Sequence, residues 1–226
     1  MGGKIDGYFD CTSPYSYFAF VYLRKHRELL RQYGVEFEIH PVFLGGINVG
    51  SGNKPPWTLP AKATLGTYEL KRAIKYFQTE QLSPAPFFPI LSVVPQRAMI
   101  AVKDRHSNEK FEQVFLETWR YSFVTHVNIE KPEGLADLLS KFLDEAEVKE
   151  ILRLVKTQEY KDKLTAKTNE ALKQGAFGAP WFKVTNSKGE VEPFFGSDRF
   201  HFMWEFLGVE HEDLKIVDKR EGKAKL

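Results

Sequence analysis

Lys4-Ile5-Asp6-Gly7-Tyr8-Phe9-Asp10-Cys11-Thr12-Ser13-Pro14-Tyr15-Ser16 decides the fold of this chain. Residues 4–10 read as a short apolar strand, with Ile5, Tyr8 and Phe9 in it. Residues 15–31 read as one long amphipathic helix carrying Tyr17, Phe20, Val21, Leu23, Leu29 and Leu30, stopped by Gly34. Ser13-Pro14-Tyr15-Ser16 stands at the junction. A helix start leaves its first backbone N–H groups without partners and carries a partial positive charge. A hydroxyl placed there, beside free amides and a favourable dipole, suits an anion, and the anion of most chemical interest is a thiolate. On its own, Ser13 is equally well explained as an ordinary N-cap.

Residues 35–40 alternate apolar and polar before Pro41 and read as a second strand, so the chain opens β-α-β. Residues 45–57, rich in Gly and Pro, read as a functional loop too long for a plain connection. From 59 to 175 the pattern is helical almost throughout, with helices expected over 64–78, 108–123 (capped by Ser107), 132–142, 145–155 and 157–173. Strands return at 181–184 and 191–195 around the turn Asn186-Ser187-Lys188-Gly189, and a last helix runs over 198–207. The expected fold class is α/β, with one sheet assembled from two discontinuous parts. Residues 1–58 and 176–226 form the sheet domain and residues 59–175 an inserted all-helical domain.

Composition narrows the function. With 42% hydrophobic residues, 27% charged residues and a net charge of +2, the chain has the balance of an ordinary globular protein and no basic stripe for nucleic acid. No apolar run reaches the roughly 20 residues of a membrane span, and the N-terminus lacks the pattern of a secretory leader. The single cysteine, Cys11, excludes an internal disulfide framework and points to a reducing compartment. Two residues before Ser13, it reads as a packed small residue rather than a nucleophile. The six histidines show no zinc-ligand spacing, and no metal is expected. Phe87, Phe88, Trp119 and Tyr121 read as core or interface aromatics, some of them candidates for lining an acceptor-substrate cavity. Ala224-Lys225-Leu226 has the small-basic-Leu form of a peroxisomal address, with mitochondria or cytosol as the alternatives.

The order of elements is the thioredoxin plan with a helical domain inserted after the second strand. Where thioredoxin-like enzymes carry Cys-x-x-Cys, this chain has Ser13-x-x-Ser16. Serine cannot exchange disulfides, so the site cannot run a two-thiol redox cycle, but it can bind another molecule's thiol as the anion. Four segments, residues 10–16, Ser51-Gly52-Asn53-Lys54-Pro55-Pro56, Gly175-Ala176-Phe177-Gly178-Ala179-Pro180 and Phe195-Gly196-Ser197-Asp198-Arg199, together resemble the kappa-class glutathione transferases. The related 2-hydroxychromene-2-carboxylate isomerases share most of this set. The resemblance covers essentially the whole chain.

The resemblance implies that glutathione is the co-substrate and that the Ser13 hydroxyl donates to its sulfur. Lowering the thiol pKa by about two units from its free value near 8.5 corresponds to about 2.7 kcal/mol of preference for the thiolate. Pro14 and Tyr15 are further glutathione-binding residues that the resemblance implies. A cis bond before Pro180 would aim the Ala179 backbone at the cysteinyl unit, where mammalian members have leucine. Gly196, Ser197 and Asp198 suit the γ-glutamyl zwitterion, Asn53 the peptide, and Lys62 the glycyl carboxylate. The implied function is detoxifying transfer of glutathione to a small, partly apolar electrophile by a homodimer. The nearest alternative is a cis-trans isomerase that returns its glutathione. More distant ones are a thiol-disulfide oxidoreductase using Cys11 and a non-catalytic carrier.

Overall fold

The computed structural model describes residues 2–212. Its centre is β1 (Gly3–Phe9), which pairs in parallel with β2 (Val35–Pro41), Gly3 facing Val35 and Phe9 facing Pro41. On its other side β1 runs antiparallel to β3 (Trp181–Thr185), and β3 antiparallel to β4 (Val191–Phe195), giving the order β2-β1-β3-β4. The α/β plan with a helical insertion therefore holds, because both discontinuous parts contribute to one sheet. Side chains alternate across β1 with the period of a strand. Ile5 and Phe9 enter the main core, while Tyr8 packs on the opposite face with Val42, Ile47, Ala171, Ala176 and Trp181. Gly7 is small for a reason: a Cβ there would stand 2.4 Å from the Phe9 ring.

Between residues 14 and 125 the structure differs from the sequence expectation in four places. The helix expected over 15–31 is two helices, α1 (Pro14–Lys25) and α2 (Arg27–Gln32), broken at His26. There the imidazole Nδ1 lies 2.8 Å from the Tyr22 carbonyl, and this local bond competes with a continuing helix. Part of the loop expected over 45–57 is instead α3 (Leu44–Ser51). Its glycines serve close packing on the helix 158–173. A Cβ on Gly46 would meet Thr168 at 3.1 Å, and one on Gly50 would meet Leu172 at 2.5 Å. After a 3₁₀ turn at Pro56–Thr58 come α4 (Pro60–Phe77) and α5 (Val93–Arg105). No start for α5 is marked in the sequence because Pro89 and Pro95 mask it, although a proline in the first turn is tolerated. The last difference is a π-helical turn, Tyr121–Thr125, that ends α6 (Asn108–Arg120).

The remaining helices are α7 (Pro132–Ser140), α8 (Glu145–Leu154), α9 (Gln158–Lys173) and α10 (Phe200–Leu207). Ser107 caps α6, and Asp144 with Glu147 forms a capping box on α8. The helical block is fixed to the sheet unit through aromatics. Phe20 of α1 lies 5.1 Å from Trp119 of α6, and Phe115 stacks on that indole at 4.5 Å. α9 lies on the sheet side, where the Thr168 hydroxyl accepts from Phe43 N–H and Glu170 accepts from the Tyr8 hydroxyl. Among the described residues no helix is long and apolar enough to cross a membrane.

Candidate active site

Where β1 ends, the chain turns around the buried Asp10 carboxylate. Its Oδ1 accepts from Thr12 N–H at 2.8 Å, and its Oδ2 from Leu44 N–H at 2.6 Å and the Ser92 hydroxyl at 2.7 Å. One side chain thus joins the 10–13 turn, the first residue of α3 and the approach to α5. Burial raises its pKa, opposed by the Leu44 and Thr12 amides and the Ser92 hydroxyl. The main chain is held as firmly. Asp10 C=O accepts from Ser13 N–H at 3.1 Å, and the Trp119 indole N–H is shared between Asp10 C=O at 3.3 Å and Ser13 C=O at 3.1 Å. Gln96 extends the frame by donating to Phe9 C=O and Val42 C=O at 2.7 and 2.6 Å.

Ser13 is the N-cap of α1 and is 5% exposed. Its Oγ accepts from Ser16 N–H at 3.1 Å and donates to Ala179 C=O at 3.0 Å. The Ala179–Pro180 bond is cis, as expected from the sequence, and Gly196 N–H donates to Pro180 C=O at 3.1 Å. The cap reading of Ser13 therefore holds, and the same hydroxyl that accepts from the helix points its proton across to the 179–180 strand approach. Ser16 differs. It is fully buried, and its hydroxyl accepts from Asp10 N–H at 3.4 Å, behind the turn.

All nine residues expected at the site line one cleft of about 1530 Å³: Ser13, Pro14, Tyr15, Asn53, Lys62, Ala179, Gly196, Ser197 and Asp198. Their local settings differ. Asn53 donates its amide to Phe177 C=O at 2.7 Å and accepts from Lys54 N–H at 2.9 Å, so it ties the α3–α4 connection to the segment before Ala179. Lys62 is exposed in the first turn of α4. Gly196 has φ +88, where a Cβ would stand 2.8 Å from the Asp198 carboxylate. Ser197 is buried, while Asp198 is exposed and ion-paired with Arg199. The final helix was expected from 198, with Ser197-Asp198 as its start. It begins at Phe200 with Arg199 as N-cap, so Ser197 and Asp198 lie in the strand-to-helix connection. Burial raises the Tyr15 phenol pKa, and the Glu69 and Asp198 charges add to that.

Cys11 is completely buried, and burial first, then the Asp10 charge, pushes its thiol well above the ordinary range. A thiol in that state is a poor nucleophile. Among the described residues, Asp6, Glu38 and His40 bring three possible metal-ligand atoms within 4.8 Å of one another. Lys4 already lies 2.8 Å from both carboxylates and Lys103 lies 3.0 Å from Glu38, so two ammonium groups balance this cluster. Sequence reasoning missed Ser92, Gln96 and the wiring of Trp119. None carries a motif, because each matters only through a contact made across the fold.

Residues 4–208 match the model of the DsbA-like thioredoxin domain. Glutathione S-transferase kappa 1 of Caenorhabditis elegans is 32% identical over 208 residues, covering 90% of each chain. The chain belongs to the kappa-class glutathione transferases, within the DsbA-like thioredoxin family. Glutathione S-transferase kappa 1 of Homo sapiens is similar at 28% identity over 209 residues, again 90% of each chain. Among solved structures, 2-hydroxychromene-2-carboxylate isomerase superposes with TM-score 0.72 at 19% identity, over 91% of this chain and 94% of that one, a likeness of fold. In this kappa-class chain, the serine at the start of α1 and the cis proline opposite it stand where a thioredoxin-like fold brings its first helix and its third strand together.

Proposed function

We propose that the protein is a glutathione transferase that activates the thiol of glutathione at Ser13 and delivers it to an electrophile in the adjoining cleft. The observation that carries this reading is the Ser13 hydroxyl, held at the N-terminus of α1 and aimed at Ala179 C=O at 3.0 Å. Binding would exchange partners. The cysteinyl N–H of glutathione takes the Ala179 carbonyl, and the Ser13 O–H turns about its Cβ–Oγ bond to the sulfur. Oγ keeps its bond from Ser16 N–H throughout. The sulfur then meets a hydroxyl donor and the positive end of α1, both of which favour the thiolate, and the thiol proton leaves to water. Attack forms the S–C bond, and the leaving group departs with its electron pair. With a conjugated alkene no group leaves: as the S–C bond forms, the alkene π pair moves to the activating group and is protonated by water.

Gly196, Ser197 and Asp198 would take the γ-glutamyl end and Lys62 the glycyl carboxylate. Asn53 would hold the wall between them rather than reach the ligand first. Isothermal titration with reduced glutathione, paired with a conjugation assay on native protein and Ser13→Ala, tests the reading. Binding retained and turnover lost on the order of 100-fold supports it, and equal turnover in both proteins overturns it. Following glutathione consumption separates transfer from isomerisation, which would return it.

A homodimer is proposed from the family and from the large apolar side chains exposed on α4, Leu65, Tyr68 and Tyr76, with light scattering as its test. Delivery to peroxisomes is proposed from Ala224-Lys225-Leu226, which lies outside the described residues. A fluorescent fusion with and without the tripeptide tests it.

A further inference from the structure

A side chain from the helical block fixes the turn that carries Ser13. The Trp119 indole has a single N–H, and two buried carbonyls share it, Asp10 C=O at 3.3 Å and Ser13 C=O at 3.1 Å. Those carbonyls are the two ends of the turn. Asp10 C=O also accepts from Ser13 N–H at 3.1 Å and closes it, while Ser13 C=O also accepts from Tyr17 N–H at 3.3 Å and opens α1. One donor, 106 positions from Ser13 in sequence, therefore bridges the start and the finish of residues 10–13. Tryptophan suits the place because its indole nitrogen donates and never accepts, so it leaves the Ser13 hydroxyl uncontested.

The bond controls direction as well as place. Ser13 is extended, with φ −94 and ψ 116, and the direction of its C=O sets ψ. With that carbonyl held, the Cα–Cβ bond is held too, and Oγ reaches Ser16 N–H at 3.1 Å and Ala179 C=O at 3.0 Å from one position. Without the indole the peptide after Ser13 can rock, and Oγ loses its fixed line to the sulfur. Misplacing a catalytic donor by about 1 Å can cost on the order of 100-fold in rate. The ring itself is held independently of this bond. Trp119 is fully buried, with Phe115 stacked on it at 4.5 Å, Phe20 at 5.1 Å and Tyr17 at 6.2 Å. Packing fixes the indole, and the N–H passes that rigidity to the turn.

We infer that Trp119 is a positioning residue for the thiolate: its N–H, acting through the backbone of Ser13, keeps the Ser13 hydroxyl on the glutathione sulfur. The inference rests on the glutathione reading and adds a residue of the helical block to thiol activation. Trp119 does not line the cleft, so it acts on the sulfur only through the turn.

Trp119→Phe keeps an aromatic ring in the stack and removes the N–H. Ultraviolet titration of bound glutathione should give a thiol pKa about one unit above that in the native protein, part of the way to Ser13→Ala. Turnover should fall by up to about ten-fold at pH below both values and recover above them. Affinity for S-methylglutathione, which has no thiol to ionise, should stay within about two-fold. Benzothienylalanine at position 119 keeps the bicyclic shape without the N–H. It should give the same shift, and it decides the question if Trp119→Phe does not fold. The double variant Ser13→Ala with Trp119→Phe should titrate as Ser13→Ala alone, because the indole works through that hydroxyl. Phe115→Leu weakens the stack and keeps the N–H, so it should lower the urea midpoint and leave the bound thiol pKa unchanged. A native thiol pKa in both position-119 variants, a rise in the double variant beyond Ser13→Ala, or an equal shift in Phe115→Leu overturns the positioning role and leaves the glutathione reading standing. Bound glutathione that titrates like the free thiol in native protein overturns the thiolate reading, and this inference falls with it.

Discussion

Two buried aspartates stand four residues apart at the centre of the sheet, and their surroundings are opposite. Asp6, within β1, is hydrogen-bonded to Lys4 at 2.8 Å and His40 at 2.9 Å. Burial alone would raise its pKa, but those two partners hold it at about 2. Asp10, one residue past β1, meets only neutral donors, two backbone amides and one hydroxyl, and its pKa stays raised. The same side chain does two jobs. Asp6 belongs to an electrostatic cluster that stabilises the far end of the sheet. Asp10 organises the turn that carries Ser13 without bringing a cation to it.

The largest effect that would break this comparison comes from Asp10. Asp10→Ala removes one acceptor from three buried donors and should destabilise the protein by about 3–5 kcal/mol in urea denaturation at pH 7. A loss below about 1 kcal/mol would show that the turn holds without it. Asp6 should cost less and depend on pH. Its folded pKa, about 2, lies below the unfolded value of 3.8, so its stabilisation is present above pH 4 and is lost as pH falls through 2. Asp6→Asn should therefore cost about 2 kcal/mol at pH 7 and almost nothing at pH 2, read from denaturation midpoints at both values. Ser13→Ala should cost about 1 kcal/mol through the lost helix cap, far less than its effect on turnover. The smallest expected signal is Cys11, which should resist alkylation by iodoacetamide in the native protein and react once it is unfolded.

How much of this was legible follows from the range of each interaction. The Ser13 cap, the strands and the helix that starts at Asn108 are set by residues close in sequence, and local patterns announced them, whereas the cis Ala179–Pro180 bond was expected from the family resemblance. The order of elements was enough for the sheet, because a β-α-β opening and a later hairpin admit few arrangements. α3 was hidden because Gly46 and Gly50, read as loop formers, are the small face that lets a helix approach α9. α5 was hidden by Pro89 before it and Pro95 in its first turn. The nine expected site residues do share a cleft, but the sequence could not show that Asn53 spends its amide on Phe177, nor that Asp10, Ser92 and Trp119 hold the serine turn. Those bonds join residues separated by about a hundred positions, and no local spacing encodes them.

The central claim is that Ser13 and the end of α1 stabilise a thiolate. Ultraviolet titration of protein-bound glutathione, following thiolate absorbance against pH, measures this directly in native protein and Ser13→Ala. The account predicts a bound thiol pKa about two units below the free value and a return most of the way toward it in Ser13→Ala. A bound thiol that titrates like free glutathione in both proteins would contradict it.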